Sequence, residues 1–171
     1  MKQVGALAVL LGCIVGANWA LARFGLVPIG FGLMAPAGVF FAGVTFTARD
    51  VVRETSGRRG VAMAIALGAL LSAFVEGAQG FAVASGVAFA VSETADALVY
   101  EPIREVTRTG AVVASNTVGA VIDSALFLWL AFGSIDFIAG QVLGKTYMTA
   151  LAVAGMWAWR VVSVRRAQAH S

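Results

Sequence analysis

VAMAIALGALLSAFVEGAQGFAVASGVAFAVS, residues 61–92, decides how this chain folds. The stretch holds a single charge, Glu76. One membrane-crossing helix needs about 20 mostly apolar residues, so 61–92 is long for one crossing and short for two. The flanking charges choose between them. If the stretch crosses twice, the chain has six spans. One side of the membrane then carries Lys2, Arg49, Arg53, Arg58, Arg59, Arg104, Arg108, Arg160, Arg165 and Arg166, and the other only Arg23 and Lys145. If it crosses once, the basic residues divide evenly. Lys and Arg concentrate in cytoplasmic loops. The uneven split therefore selects six spans with both ends cytoplasmic, and a short turn near 77–80 between the third and fourth helices.

The same reading extends outward. Residues 3–22 and 24–48 are uncharged, 109–135 contain only Asp123, and 137–159 contain only Lys145. The predicted fold is all-α and polytopic: one domain over 1–171, with spans 3–22, 33–48, 61–77, 80–99, 110–133 and 141–161. The stretch 24–32, with Pro28 and three glycines, reads as a loop or interfacial segment. Segments 49–59 and 93–108 read as charged loops or helix ends, the fourth helix running on past Glu93 towards Val99. An Ala20-Leu21-Ala22 cleavage site would fit a signal peptide. The apolar run is long for a signal core, however, and its removal would spoil the parity, so it reads as a retained span. Gly12 and Gly16 form a GxxxG pair that predicts close helix approach.

Composition excludes much else. Hydrophobic residues make up 60% and charged ones 12%, against roughly 25% charged in soluble domains. Mean hydropathy is +0.88. Disorder, a secreted disulfide scaffold and a typical soluble enzyme are excluded. The net charge of +3 reflects loop placement, so no nucleic-acid partner is expected. Cys13, the single cysteine, cannot form an internal disulfide.

Polar residues inside apolar helices are the functional candidates. A charge at membrane depth costs at least about 2.5–3.5 kcal/mol, so it faces a protein interior or an aqueous cavity. Asp123 lies near the middle of the fifth span, two helical turns after Asn116, so both share a face. Ser115, Gly119 and Ser124 add small or polar surface. This stripe reads as cavity-lining, against the plainer reading of interhelical hydrogen bonds that fix packing. Glu93 and Asp96 share a helix face near the cytoplasm, and Arg104 and Arg108 follow, so ion pairing across that corner is expected. Asp50 and Glu54, beside Arg53, Arg58 and Arg59, read either as a solvated turn or as a gate that pairs with basic residues elsewhere.

These residues carry a family resemblance. Pro36-Ala37-Gly38, Thr45-Phe46, Asp50, Glu54, Gly57 and Arg58 resemble the signature around the second helix of the VUT family, the vitamin uptake or queuosine precursor transporters. Glu93-Thr94-Ala95-Asp96, then Arg104, Arg108, Ser115-Asn116-x-x-Gly119-x-x-x-Asp123-Ser124-x-x-Phe127 and Ala131-Phe132-Gly133 resemble its second signature. The resemblance covers residues 15–150. The chain departs from the family in its shorter loops and in Ala17-Asn18, where a Ser-Asn pair is common.

The resemblance implies a six-helix importer of the inner (plasma) membrane. Its cargo would be 7-cyano-7-deazaguanine (preQ0) or the aminomethyl relative preQ1, and transport would be facilitated or gradient-driven. A deazaguanine presents an N–H and an amino group side by side, and one carboxylate can accept both. Asp123, Glu93 and Asp96 are the candidate acids. Asn116 would serve the carbonyl edge with Ser115 nearby, and Trp19, Phe46 or Phe127 would stack on the base. Asp50, Glu54, Arg58, Arg104 and Arg108 are the candidate cytoplasmic gate. The expected partners are this small molecule and membrane lipid, with a homo-oligomer allowed. No cofactor and no metal are expected.

Two other classes remain open: a substrate-binding subunit of an energy-coupling-factor vitamin importer, and a non-transporting helix bundle or pore. An enzyme is not expected. The only histidine is His170, and no HExxH, GxSxG or glycine-rich phosphate loop occurs.

Overall fold

The computed structural model describes residues 2–168. His170 and Ser171, used in the sequence reading, lie outside them. Helix α1 spans Lys2–Phe24. Strands β1 (Leu26–Gly30) and β2 (Leu33–Pro36) pair antiparallel, and a 3-10 turn, Ala37–Phe41, leads into α2 (Ala42–Ser72). Helices α3 (Gln79–Ile103), α4 (Arg108–Phe132) and α5 (Ile138–Gln168) complete the order. Segments Gln3–Phe24, Gln79–Ile103 and Arg108–Phe132 are long and apolar enough to cross a membrane. Helices suit that setting because every backbone polar group is satisfied within the segment. Their hydroxyls comply too: Thr94, Thr117 and Ser124 each donate to the carbonyl four residues back.

Helix α2 is two segments meeting at Gly57, whose φ of 66° and ψ of −174° are non-helical. A continuous helix of this length would hold its ends about 46 Å apart. Instead Phe41 packs at Gly16, while Ser72 accepts a hydrogen bond from Asn18, two residues further along α1. At the other end Ser56 bonds Gln3. The chain therefore reverses at Gly57: 42–56 runs antiparallel to α1 and 58–72 runs alongside it. Leu10 of α1 joins Ala48 and Val52 from the first half of α2, and Val61, Ala64 and Ile65 from the second, in one buried cluster.

Three sequence expectations change. The stretch 24–32 is not merely a loop: β1 belongs to a hairpin whose tip, Gly30-Phe31-Gly32, has positive φ throughout. The predicted span 33–48 becomes helical only at Ala37, because β2 occupies its start. Segment 49–59 is helical on both sides of Gly57 rather than a solvated loop, since its arginines find partners on α3. The turn between α2 and α3 falls close to the expected place and leaves Glu76 exposed; Gly77 there has a φ of 74°. Of the GxxxG pair, a Cβ at Gly16 would strike the Phe41 ring, but one at Gly12 would meet nothing. Helix α5 lies against α2 and β2 backbone to backbone. A Cβ at Gly43 would overlap the Met148 carbonyl, and one at Gly140 the Met34 carbonyl.

Candidate functional site

Five helices surround a cavity of about 120 Å³. Most of its wall is apolar, from residues such as Leu10, Ile14 and Val39. Six polar side chains break that surface: Asn18 from α1, Thr45 from α2, Ser85 from α3, Asp123 from α4, and Gln141 and Lys145 from α5. Phe46, Phe89 and Phe127 supply rings. Asp123 lies nine residues before the end of α4 and Lys145 seven after the start of α5. The pair thus sits well inside the bundle.

Lys145 Nζ meets Asp123 Oδ2 at 2.5 Å and donates to Ser124 Oγ at 2.9 Å. Ser124 Oγ donates onward to the Ala120 carbonyl, so it is free to accept from the ammonium. The lysine and aspartate side chains are 12% and 21% exposed. An ion pair this far from water is held by the cost of the alternative: removing one partner strands the other charge, typically at 3–5 kcal/mol.

A second cavity, about 60 Å³, adjoins the first on the side nearer Gly57. Phe46, Phe89 and Asp123 line both, so they form the partition. Beyond it lies a charged layer. Arg49 donates to Glu93 Oε1 at 3.0 Å and to Asp50 Oδ1 at 2.9 Å. Its guanidinium carbon stands 5.3 Å from the centre of the Phe46 ring, within cation–π range. Arg53 reaches Asp96 Oδ2 at 3.4 Å, and Arg58 donates to the Glu93 carbonyl at 3.4 Å. Arg49 and Arg53 are four apart on α2, and Glu93 and Asp96 three apart on α3. Two ion pairs therefore lie side by side between these helices.

The residues singled out from sequence fall into three groups. Asp123 and Phe46 line both cavities, Phe127 the larger, and Asn116, Glu93 and Asp96 the smaller. Ser115 is buried but lines neither, and Trp19 is 48% exposed, edge-on to Phe24 and outside both. Among the gate residues, Asp50 and Arg58 join the charged layer, whereas Glu54 is exposed on α2. Arg104, just past the end of α3, pairs with Glu101 of that helix, and Arg108 is exposed at the start of α4. The partners of Glu93 and Asp96 are thus arginines of α2, not Arg104 and Arg108. The reason is geometric: Arg104 and Arg108 lie at the far tip of the α3–α4 turn, two turns or more beyond those acids.

Sequence reasoning missed Lys145, Gln141, Phe89 and Arg49 as site residues. The charge count puts Lys145 on the outer side with Arg23; its contacts to Asp123 and Ser124 place it inside the bundle. The available signal was spacing. Lys145 is the lone charge of 137–159 and Gln141 precedes it by one helical turn, a polar stripe like that of Asn116 and Asp123.

Residues 69–159, just over half of the 171, match the family described as Putative vitamin uptake transporter. The chain belongs to this family. No curated protein and no solved structure matches it. The vitamin-uptake segment holds α3, α4 and much of α5, hence Glu93, Asp96, Asp123, Gln141 and Lys145. Asn18, Phe46 and Arg49, which complete the cavities, lie before it. Family membership and membrane-length helices together make this a helical membrane protein of a transporter family, with a small molecule as the class of cargo.

Proposed function

We propose that this chain imports a queuosine precursor, preQ0 or preQ1, across the plasma membrane through the cavity at Asp123 and Lys145. The observation that carries the reading is that cavity. An apolar chamber inside the bundle joins a buried ion pair, two amide side chains and three phenylalanines, in a member of the vitamin-uptake family. A planar deazapurine suits it. Rings stack on its faces, and its polar edges need the acceptors and donors that Asn18, Gln141, Asp123 and Lys145 supply. Of the acids named from sequence, Asp123 is the one that reaches the larger chamber.

Six crossings with both ends cytoplasmic fit this reading. The reversal at Gly57 divides α2 into the second and third crossings, and the Gly57 end then faces the cytoplasm. With Lys145 inside the bundle, the loop charges divide ten to one. The partition of Phe46 and Phe89, braced by Arg49–Glu93 and Arg53–Asp96, is the inner gate, closed here.

The test uses cells that cannot synthesise preQ0 and lack their own importer. Expression of this chain with external preQ0 should restore queuosine to their tRNA. Expression at the membrane without restoration, at any supplied concentration of preQ0 or preQ1, contradicts the proposal.

A further inference from the structure

Gln141 carries an observation that the ion pair and the rings leave unexplained. Its side chain is 5% exposed and lines the larger cavity. Among the described residues, its Oε1 is the buried side-chain polar atom without a hydrogen-bond partner. Such an acceptor carries a desolvation cost that no protein group around it offsets. Gln141 stands one helical turn from Lys145, so both face the same way.

Asn18, also in the cavity wall, has its amide orientation fixed. The Ser72 hydroxyl donates to the Gly68 carbonyl at 2.8 Å and so accepts from Asn18 Nδ2 at 3.1 Å. The amide group also donates to the Ile14 carbonyl at 3.1 Å. Both N–H groups are spent, and what Asn18 can offer the cavity is its carbonyl. The chamber thus presents two amide carbonyls and a carboxylate as acceptors. Its one ammonium gives two of its three N–H groups to Asp123 and Ser124. The charges of Asp123 and Lys145 cancel, and the Gln141 carbonyl is the acceptor left without a partner.

We infer that Gln141 is a specificity-determining residue. Its Oε1 accepts an N–H from the cargo, and the chamber selects a small, neutral, planar ligand with adjacent N–H donors. This rests on the larger cavity being the transport site. A ligand without those donors leaves the glutamine unpaired, which is how a polar site rejects an analogue.

The test uses the purified full chain, with thermal unfolding and binding measured for preQ0 and for its analogue lacking the 2-amino group. Wild type should bind the analogue on the order of tenfold more weakly. Gln141→Met, close in shape but without the acceptor, should unfold at or above the wild-type temperature when ligand-free. It should bind preQ0 on the order of tenfold more weakly and lose discrimination between the two ligands. Wild-type discrimination in Gln141→Met overturns the inference, as does an equal loss for both ligands. If that variant cannot be purified, equal wild-type affinity for both ligands overturns it. Wild type that binds neither ligand instead removes the transport-site reading beneath it.

Discussion

Lys145 and Asp123 depend on each other, and the dependence separates function from packing. Each alone would be an uncompensated charge among apolar walls, so Asp123→Asn or Lys145→Met should destabilise the protein by about 3–5 kcal/mol and abolish preQ0 uptake. The double variant removes both charges. It should recover thermal stability and membrane abundance towards wild type, because neither charge is stranded, yet remain without uptake. Unfolding temperature, abundance and uptake on the three variants decide the matter; recovery of uptake along with stability would make the pair a packing device. Asn116→Ala, at the smaller cavity, should weaken uptake less, by about 0.5–1.5 kcal/mol in apparent affinity. Asp123 was legible in the sequence because a carboxylate in an apolar helix is conspicuous. Its partner was not, since Lys145 lies near enough to a span end to count as a loop charge. Only the packing of α4 on α5 brings the two together.

Among the elements, α2 depends most on single residues. The φ and ψ of Gly57 fall in a region open essentially to glycine, where another residue pays about 1–3 kcal/mol. Gly57→Ala should lower the unfolding temperature and the yield of folded protein. Gly43→Ala should do so more strongly, because its Cβ meets the Met148 main chain and a backbone cannot step aside as a side chain can. An unchanged unfolding temperature would contradict the backbone conformation described at Gly57 or, in Gly43→Ala, the close packing against Met148. The charged layer offers a separate check. Ser92 lines the smaller cavity, so Ser92→Cys in a Cys13→Ser background reports access to it. Arg49→Gln should speed its labelling by a thiol reagent applied from the Gly57 side; an unchanged rate would mean that Arg49–Glu93 does not close the gate. Charge spacing placed the helices well enough to anticipate the α2–α3 turn. It misread 24–36 and 49–59, where glycines and clustered charges signal a loop locally. The hairpin's pairing and the arginine contacts to α3 come from distant residues and leave no local trace.

At the scale of the whole molecule, the account requires a chamber reached from one side and released to the other. In the proposed six-crossing arrangement, the ten-to-one division of loop charges puts the Gly57 end on the cytoplasmic side. A reporter after Ser171 and an accessible label at Phe31, on the exposed hairpin tip, should fall on opposite sides of the membrane; the same side for both would break the six-crossing arrangement. The residues lining the chamber come from both ends of the chain, Asn18 through Lys145, so no contiguous motif encodes it and only the assembled bundle displays it. The most direct measurement is uptake of radiolabelled preQ0 by liposomes holding the purified protein, compared with liposomes holding Asp123→Asn and with empty ones. The account predicts saturable accumulation for wild type, competed by unlabelled preQ0, and background levels for the variant and the empty liposomes. Uptake by wild type no greater than by empty liposomes, or equal uptake by Asp123→Asn, would contradict it.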